Sequence, residues 1–163
     1  MMKKGVWLLW WLFMSFSLLA SPTANVNLVG QGSMSWLFFE LYQARLYSVD
    51  GQYQADRFPQ VLVLNYQRDI DKEDLLDATV TEWQRLGVDW KWQWRRELNA
   101  MWPSVSKRDE LALRVEPSGV SRFYFNRQLL GEIKDPAFGP AFLAIWLSPN
   151  SRNPSLTRQL KGN

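Results

Sequence analysis

Along FPQVLVLNYQRDI the apolar side chains fall on both faces of an extended chain, Val61 and Val63 on one and Leu62, Leu64 and Tyr66 on the other. A strand that is apolar on both faces belongs inside a sheet rather than at its edge. The stretch before it, from Asn25 to Gly51, alternates too, with one break in phase. Leu37, Phe39 and Leu41 share a face, while Tyr42, Ala44 and Leu46 follow out of step. One extra residue shifts the alternation of an extended chain by one, so the pattern predicts a strand with a β-bulge near Leu41. Gly30 and Gly32 break the apolar stretches ahead of it, and Gly51 closes it.

After Ile70 the period changes. Leu76, Val80 and Trp83 recur at helical spacing, Asp71 stands as the N-cap, and Gly87 ends the run. Glu73 and Asp74 lie where the positive end of the helix dipole favours acids. In VDWKWQWRRELNAMWP, Trp90, Trp92 and Trp94 alternate as in a strand, whereas Trp90, Trp94, Leu98 and Met101 line one helical face. The length of the stretch and the stop at Pro103 predict a helix. ELALRVE, VSRFYFN and LLGEI, separated by PSG and NRQ turns, predict a meander of antiparallel hairpins.

Asp135-Pro136 opens an apolar helix running to Leu147, with a kink expected at Gly139-Pro140, and Asn153-Pro154 opens a short last helix ending at Gly162. Strands, helices, strands and helices in that order predict an α+β fold, an antiparallel sheet with its helices packed on one side.

Composition narrows the chemistry. The chain has no cysteine and no histidine, which removes disulfides, thiolate nucleophiles and the commonest metal ligand and general base together. Nothing in the sequence calls for a metal or a cofactor. The start, MMKKGVWLLWWLFMSFSLLASPTA, has two lysines, an uncharged run from Gly5 to Ala20 and then small residues. This is the layout of a secretory signal peptide over residues 1–20, cleaved after Ala20 or Ala24, with the folded domain following over 25–163. The apolar run is shorter than the ~20 residues a spanning helix needs.

A periplasmic or otherwise exported protein is therefore expected. Loss of Lys3 and Lys4 takes the 19 basic residues to 17 against 16 acidic, a net charge of +1. That balance speaks against nucleic acid as a partner, which needs a concentrated basic face. WKWQWRREL reads as a core-facing tryptophan row with cations on the wet side, and peripheral membrane contact is the other use of such a stretch.

The Gly30-Gln31-Gly32 opening, LYQARLY, LNYQRDIDKEDL, FYFNRQLLGEI and above all DPAFGPAFLAIWLSPNSRNPSLTRQL resemble the bacterial chalcone isomerase-like proteins. The resemblance implies an open-faced β-sandwich, an antiparallel sheet covered on one face by a layer of helices with a cleft between. In plant chalcone isomerase that cleft holds a flavonoid, and related non-catalytic plant proteins use it for fatty acids. The isomerase relies on an arginine, a tyrosine working with a threonine through water, an asparagine and a second threonine. Laid onto this chain, the arginine position falls in Ser33, Met34 and Ser35, the strand threonine at Tyr42, the tyrosine at Leu75, the asparagine at Glu82 and the helix threonine at Ile145. None of the five matches.

The reading that follows is a non-catalytic exported domain binding a small apolar or amphipathic, lipid-like ligand between sheet and helices. Tyr42, Arg45, Tyr66, Phe138, Phe142, Ile145 and Trp146 are its candidate contacts. Arg45 is a clamp for a carboxylate or phenolate, or else an outward cation paired with a surface acid. Two alternatives stand beside it: an isomerase or lyase of the same fold using Tyr42, Arg45 and Tyr66, and an interaction module whose cleft is filled by side chains.

Overall fold

The computed structural model describes residues 21–163; the leader read at residues 1–20 lies outside them. Among the described residues, six strands form one antiparallel sheet in sequence order, β1 (Asn27–Trp36), β2 (Phe39–Ser48), β3 (Gln60–Tyr66), β4 (Glu110–Val115), β5 (Ser121–Phe125) and β6 (Gln128–Ile133). Four helices, α1 (Lys72–Leu86), α2 (Trp92–Met101), α3 (Phe138–Leu147) and α4 (Pro154–Leu160), accompany it. This is the α+β arrangement expected from the order of elements, and the open-faced sandwich that the resemblance implies.

The two-faced strand β3 is third of the six. Leu62, Leu64 and Tyr66 enter the large core beneath the helices, whereas Val61 and Val63 join a small cluster with Ala112 and Tyr124 on the opposite face. That opposite face is covered only in part. Pro22 is buried, Val26 packs on the small cluster, and the carbonyls of Pro22 and Ala24 accept from Arg114 Nη1 at 3.0 and 2.9 Å.

The region read as one strand is a hairpin. β1 and β2 meet through a two-residue turn at Leu37-Phe38, and pairing jumps from Met34–Tyr42 to Ser35–Glu40, so Leu41 is the extra residue. The alternation located the bulge but could not show the turn, because no glycine or proline marks it. Gly30 and Gly32 do not interrupt β1; they let α4 lie directly on it. A Cβ on Gly30 would sit 2.0 Å from the Gln159 carbonyl oxygen, a contact no side chain can make.

Asp71 is the N-cap of α1, as predicted, although its side chain makes no capping bond; Ser104 Oγ instead accepts from Lys72 N at 3.0 Å. Gly87 closes α1 in the left-handed region, as predicted. α3 starts at Phe138, two residues later than the Asp135-Pro136 signal places it, because Asp135 is used otherwise. Its carboxylate accepts from Ala137 N (3.1 Å), Trp94 Nε1 (2.9 Å) and Lys91 Nζ (2.6 Å), tying α2 to the start of α3.

The kink expected at Pro140 loses its cause, since in this frame the proline lies in the first turn, where an N–H has no intrahelical partner to lose. Gly139 is there for close approach: an added Cβ would lie 2.6 Å from Val115 Cγ1.

The tryptophan row splits as the core reading requires. Trp94 is buried, Trp90 stacks on Trp83 at 6.2 Å, and Trp92 is exposed. Arg95 turns outward to Glu73 and Asp77 of α1.

The close approach of α4 to β1 gives a direct test. Gly30→Ala should destabilise the protein by about 1–3 kcal/mol, the usual range for overpacking, because a backbone carbonyl must move. Gly131→Ala, whose new Cβ would meet only the flexible Met101 side chain at 3.5 Å or more, should change stability by less than about 1 kcal/mol in the same denaturant titration.

Candidate functional site

Between the sheet and the helices lies a cavity of about 430 Å³, within the range of small-molecule sites. β1 supplies Met34 and Trp36, β2 Tyr42, and β3 Leu64 and Tyr66; α1 contributes Leu75, Ala78, Thr79 and Glu82. α3 contributes Ile145 and Trp146, and the turn before α4 closes the wall with Ser151, Arg152 and Asn153. These side chains converge for simple reasons of period. After the bulge at Leu41, even-numbered residues of β2 face the helices; on α1, Leu75, Thr79 and Glu82 lie on one stripe at spacings of four and three.

The wall is apolar apart from a few groups. Tyr42 Oη accepts from Trp146 Nε1 at 2.9 Å, and the Tyr42 ring meets Tyr66 edge-on at 5.8 Å. Among the described residues neither phenolic O–H finds an acceptor. Burial pushes the Tyr42 hydroxyl up to about 12, opposed by the Trp146 hydrogen bond and assisted by the charge of Glu82. Tyr66 is raised still further by burial, with Tyr42 adding to it. Both phenols are therefore neutral at physiological pH, able to donate a proton in a hydrogen bond and unable to act as phenolate bases.

At the wall Glu82 is bound by two cations. Its Oε1 accepts from Arg152 Nε at 2.7 Å, and its Oε2 from Arg85 Nε and Nη2 at 3.0 and 2.8 Å. Burial raises its pKa, but the hydrogen bonds from Arg85 and Arg152 outweigh that and hold the carboxyl below the usual range. Arg152 is the one cation on the wall among the described residues, and Glu82 occupies it.

Of the candidate contacts, Tyr42, Tyr66, Ile145 and Trp146 come together here. Arg45 does not: its odd position on β2 turns it to the opposite face, where Nη2 lies 3.1 Å from Glu110 Oε2 beside a smaller polar hollow with Ser21 and Thr23. The reading of Arg45 as an outward cation paired with an acid describes it correctly. Phe138 and Phe142 also lie off the wall, although they share a ridge of α3 with Trp146. They stack on each other at 5.7 Å and pack edge-on against Trp83 and Phe123 inside the core, so only the C-terminal end of that ridge reaches the cavity.

Trp36, Leu64, Ile70, Thr79, Trp102, Arg152 and Asn153 are wall residues that sequence reasoning did not name. The stripe on α1 was findable from helical spacing. Arg152 and Asn153 sit in a turn that carries no periodic signal.

Of the positions where the resemblance places the isomerase's working residues, Tyr42, Leu75, Glu82 and Ile145 lie on this wall, as does Met34 of the Ser33, Met34 and Ser35 stretch. The architecture and the position of its cleft define a chalcone isomerase-like protein in form. The comparisons agree: the family model described as chalcone isomerase-like matches residues 19–162, and the chain belongs to that family. A protein of Haemophilus influenzae described as uncharacterized is 31% identical over 145 residues, covering 88% of this chain and 71% of that protein. In structure the chain is similar to an Arabidopsis thaliana fatty-acid binding protein, with a TM-score of 0.69 at 11% identity, covering 88% of this chain and 90% of that one. At that identity the likeness is one of fold.

Glu82 makes stability pH-dependent with a definite sign. A carboxyl whose folded pKa is depressed stabilises fully above its ordinary value of 4.5 and loses that contribution as pH falls through the lower folded value. Acid titration of thermal stability should show this loss below about pH 4.5 in the wild type and a shallower one in Glu82→Gln. Equal slopes would mean that the two arginines do not hold Glu82 in solution.

Proposed function

We propose that this protein is a non-catalytic binding protein for a small neutral amphiphile, held between sheet and helices with its acceptor oxygen on Tyr42 and Tyr66. One observation carries the reading: a cavity with apolar walls contains two neutral phenolic donors without acceptors. In an apolar cavity a few such polar groups fix the orientation of what binds, and a ligand carbonyl or hydroxyl supplies the acceptor that the protein does not. The fatty-acid binding of the structural neighbour supports an aliphatic ligand. The charge on this wall favours a different head group, because Glu82 already holds Arg152 and a free carboxylate would meet no uncommitted cation.

The open cavity weighs against a filled-cleft module. The isomerase reading lacks a group to stabilise a phenolate or enolate, since none of the five family positions is retained and two of them, Leu75 and Ile145, are aliphatic.

Export belongs to the same proposal. Cleavage after Ala20 leaves Pro22 and Ala24 in place on Arg114, whereas cleavage after Ala24 removes both carbonyls from it. N-terminal sequencing of the exported chain tests this, with Ser21 as the expected first residue.

Binding of a long-chain alcohol or methyl ester, followed by calorimetry, should exceed that of the corresponding fatty acid at neutral pH. Tyr66→Phe should weaken the neutral ligand by about 3–10-fold, the worth of one neutral hydrogen bond. Preference for the acid, or Tyr66→Phe binding at wild-type strength, would remove the assignment of the head group.

A further inference from the structure

Eight large apolar side chains are exposed among the described residues, and four of them are consecutive: Trp36, Leu37, Phe38 and Phe39, at 65, 71, 96 and 54% exposure. They form the apex of the β1–β2 hairpin, with Trp36 paired to Phe39 and Leu37-Phe38 making the turn. The other four are scattered: Leu28 on β1, Val49 just past the end of β2, Trp92 on α2 and Leu129 on β6.

Folding gives no reason for this apex. Leu37 has φ of 56°, in the left-handed region, at the place where a two-residue hairpin turn favours glycine. A leucine there is strained, and its side chain gains no burial in return. The sequence keeps a bulky apolar residue where both local geometry and solvent oppose it.

We infer that the Trp36–Phe39 apex inserts into the surface of a lipid bilayer and seats the mouth of the cavity on it. This rests on the proposed binding of an amphiphile, whose source and destination would be that bilayer. Three features select a bilayer over a protein partner. The apex is a narrow projection of four residues, far short of the ~800 Å² per side of a standard protein interface. Its chemistry runs from a bare phenylalanine at the tip to a tryptophan and an arginine behind: Arg68, exposed, lies 4.8 Å from the Phe39 ring centroid, where an interfacial anchor places a cation for lipid phosphates. Finally, Trp36 is shared between the apex and the cavity wall, and Leu41 at the bulge also lines the cavity, so apolar surface continues from the tip into the binding space.

The test uses the chain from Ser21, which carries every strand and helix described above, and vesicles of phosphatidylethanolamine with a minor share of phosphatidylglycerol. Wild type should co-sediment with the vesicles, and Phe38→Ser should lower the partition coefficient by about tenfold or more, the effect of withdrawing one large apolar group. Leu37→Asn, which suits the left-handed turn, should fold at least as well as wild type and also lose vesicle binding. Phe38→Ser should still bind the long-chain alcohol, and Tyr66→Phe should still bind vesicles, so failure of the docking surface and failure of the ligand assignment are read separately. Equal partitioning of wild type and Phe38→Ser overturns the inference. So does a wild-type dimer that Phe38→Ser converts to monomer with no vesicle binding by either.

Discussion

The fold turns on one aromatic wedge. Trp83 of α1 stands between the other helices and the sheet, its Nε1 donating to the Ala141 carbonyl at 2.9 Å and its ring meeting Trp94, Phe138 and Phe142 edge-on at 5.5 to 6.5 Å. Edge-to-face contacts of this kind add to the burial of the rings themselves. Because one side chain is held by α2 and α3 at once, the wedge fixes the distance of the helical layer from the sheet. Phe123 of β5 and Trp102 complete it from below.

The cavity follows from where that wedge stops. Beneath the end of α1 that carries Leu75 and Thr79, the layer spacing set by the tryptophans is not filled by side chains. At the far side α4 is pinned on β1 by the glycines, so it cannot slide inward to close the gap. A rigid prop at one end and a backbone contact at the other leave a hollow lined by Tyr42, Tyr66 and Trp146. Ligand binding on this account needs no large rearrangement of the helices.

The strands, the helices and their layering were legible because apolar period and turn residues report burial directly: β3 was read face by face, and the bulge at Leu41 was placed from one phase shift. The β1–β2 turn was not legible, because Leu37-Phe38 contradicts the turn chemistry that sequence reading relies on. Asp135 was read as a cap when its carboxylate also serves Trp94 and Lys91, long-range partners that no local pattern reveals. The site divided in the same way. Tyr42, Tyr66, Ile145 and Trp146 were reachable from strand and helix period. For Arg45 the sequence left a cleft clamp and an outward cation open, and the same period after the bulge decides for the outward one.

The central claim is that the hollow beside the wedge is a binding site for a neutral amphiphile. Native mass spectrometry of the protein purified from its own cells without detergent tests it most directly, with Leu75→Trp, which fills the hollow from α1, as the comparison. The account predicts a wild-type species carrying one neutral lipid-like molecule that is released on unfolding and is missing from Leu75→Trp. A wild-type protein that carries nothing and takes up no long-chain alcohol, or one whose bound molecule persists in Leu75→Trp, would contradict it.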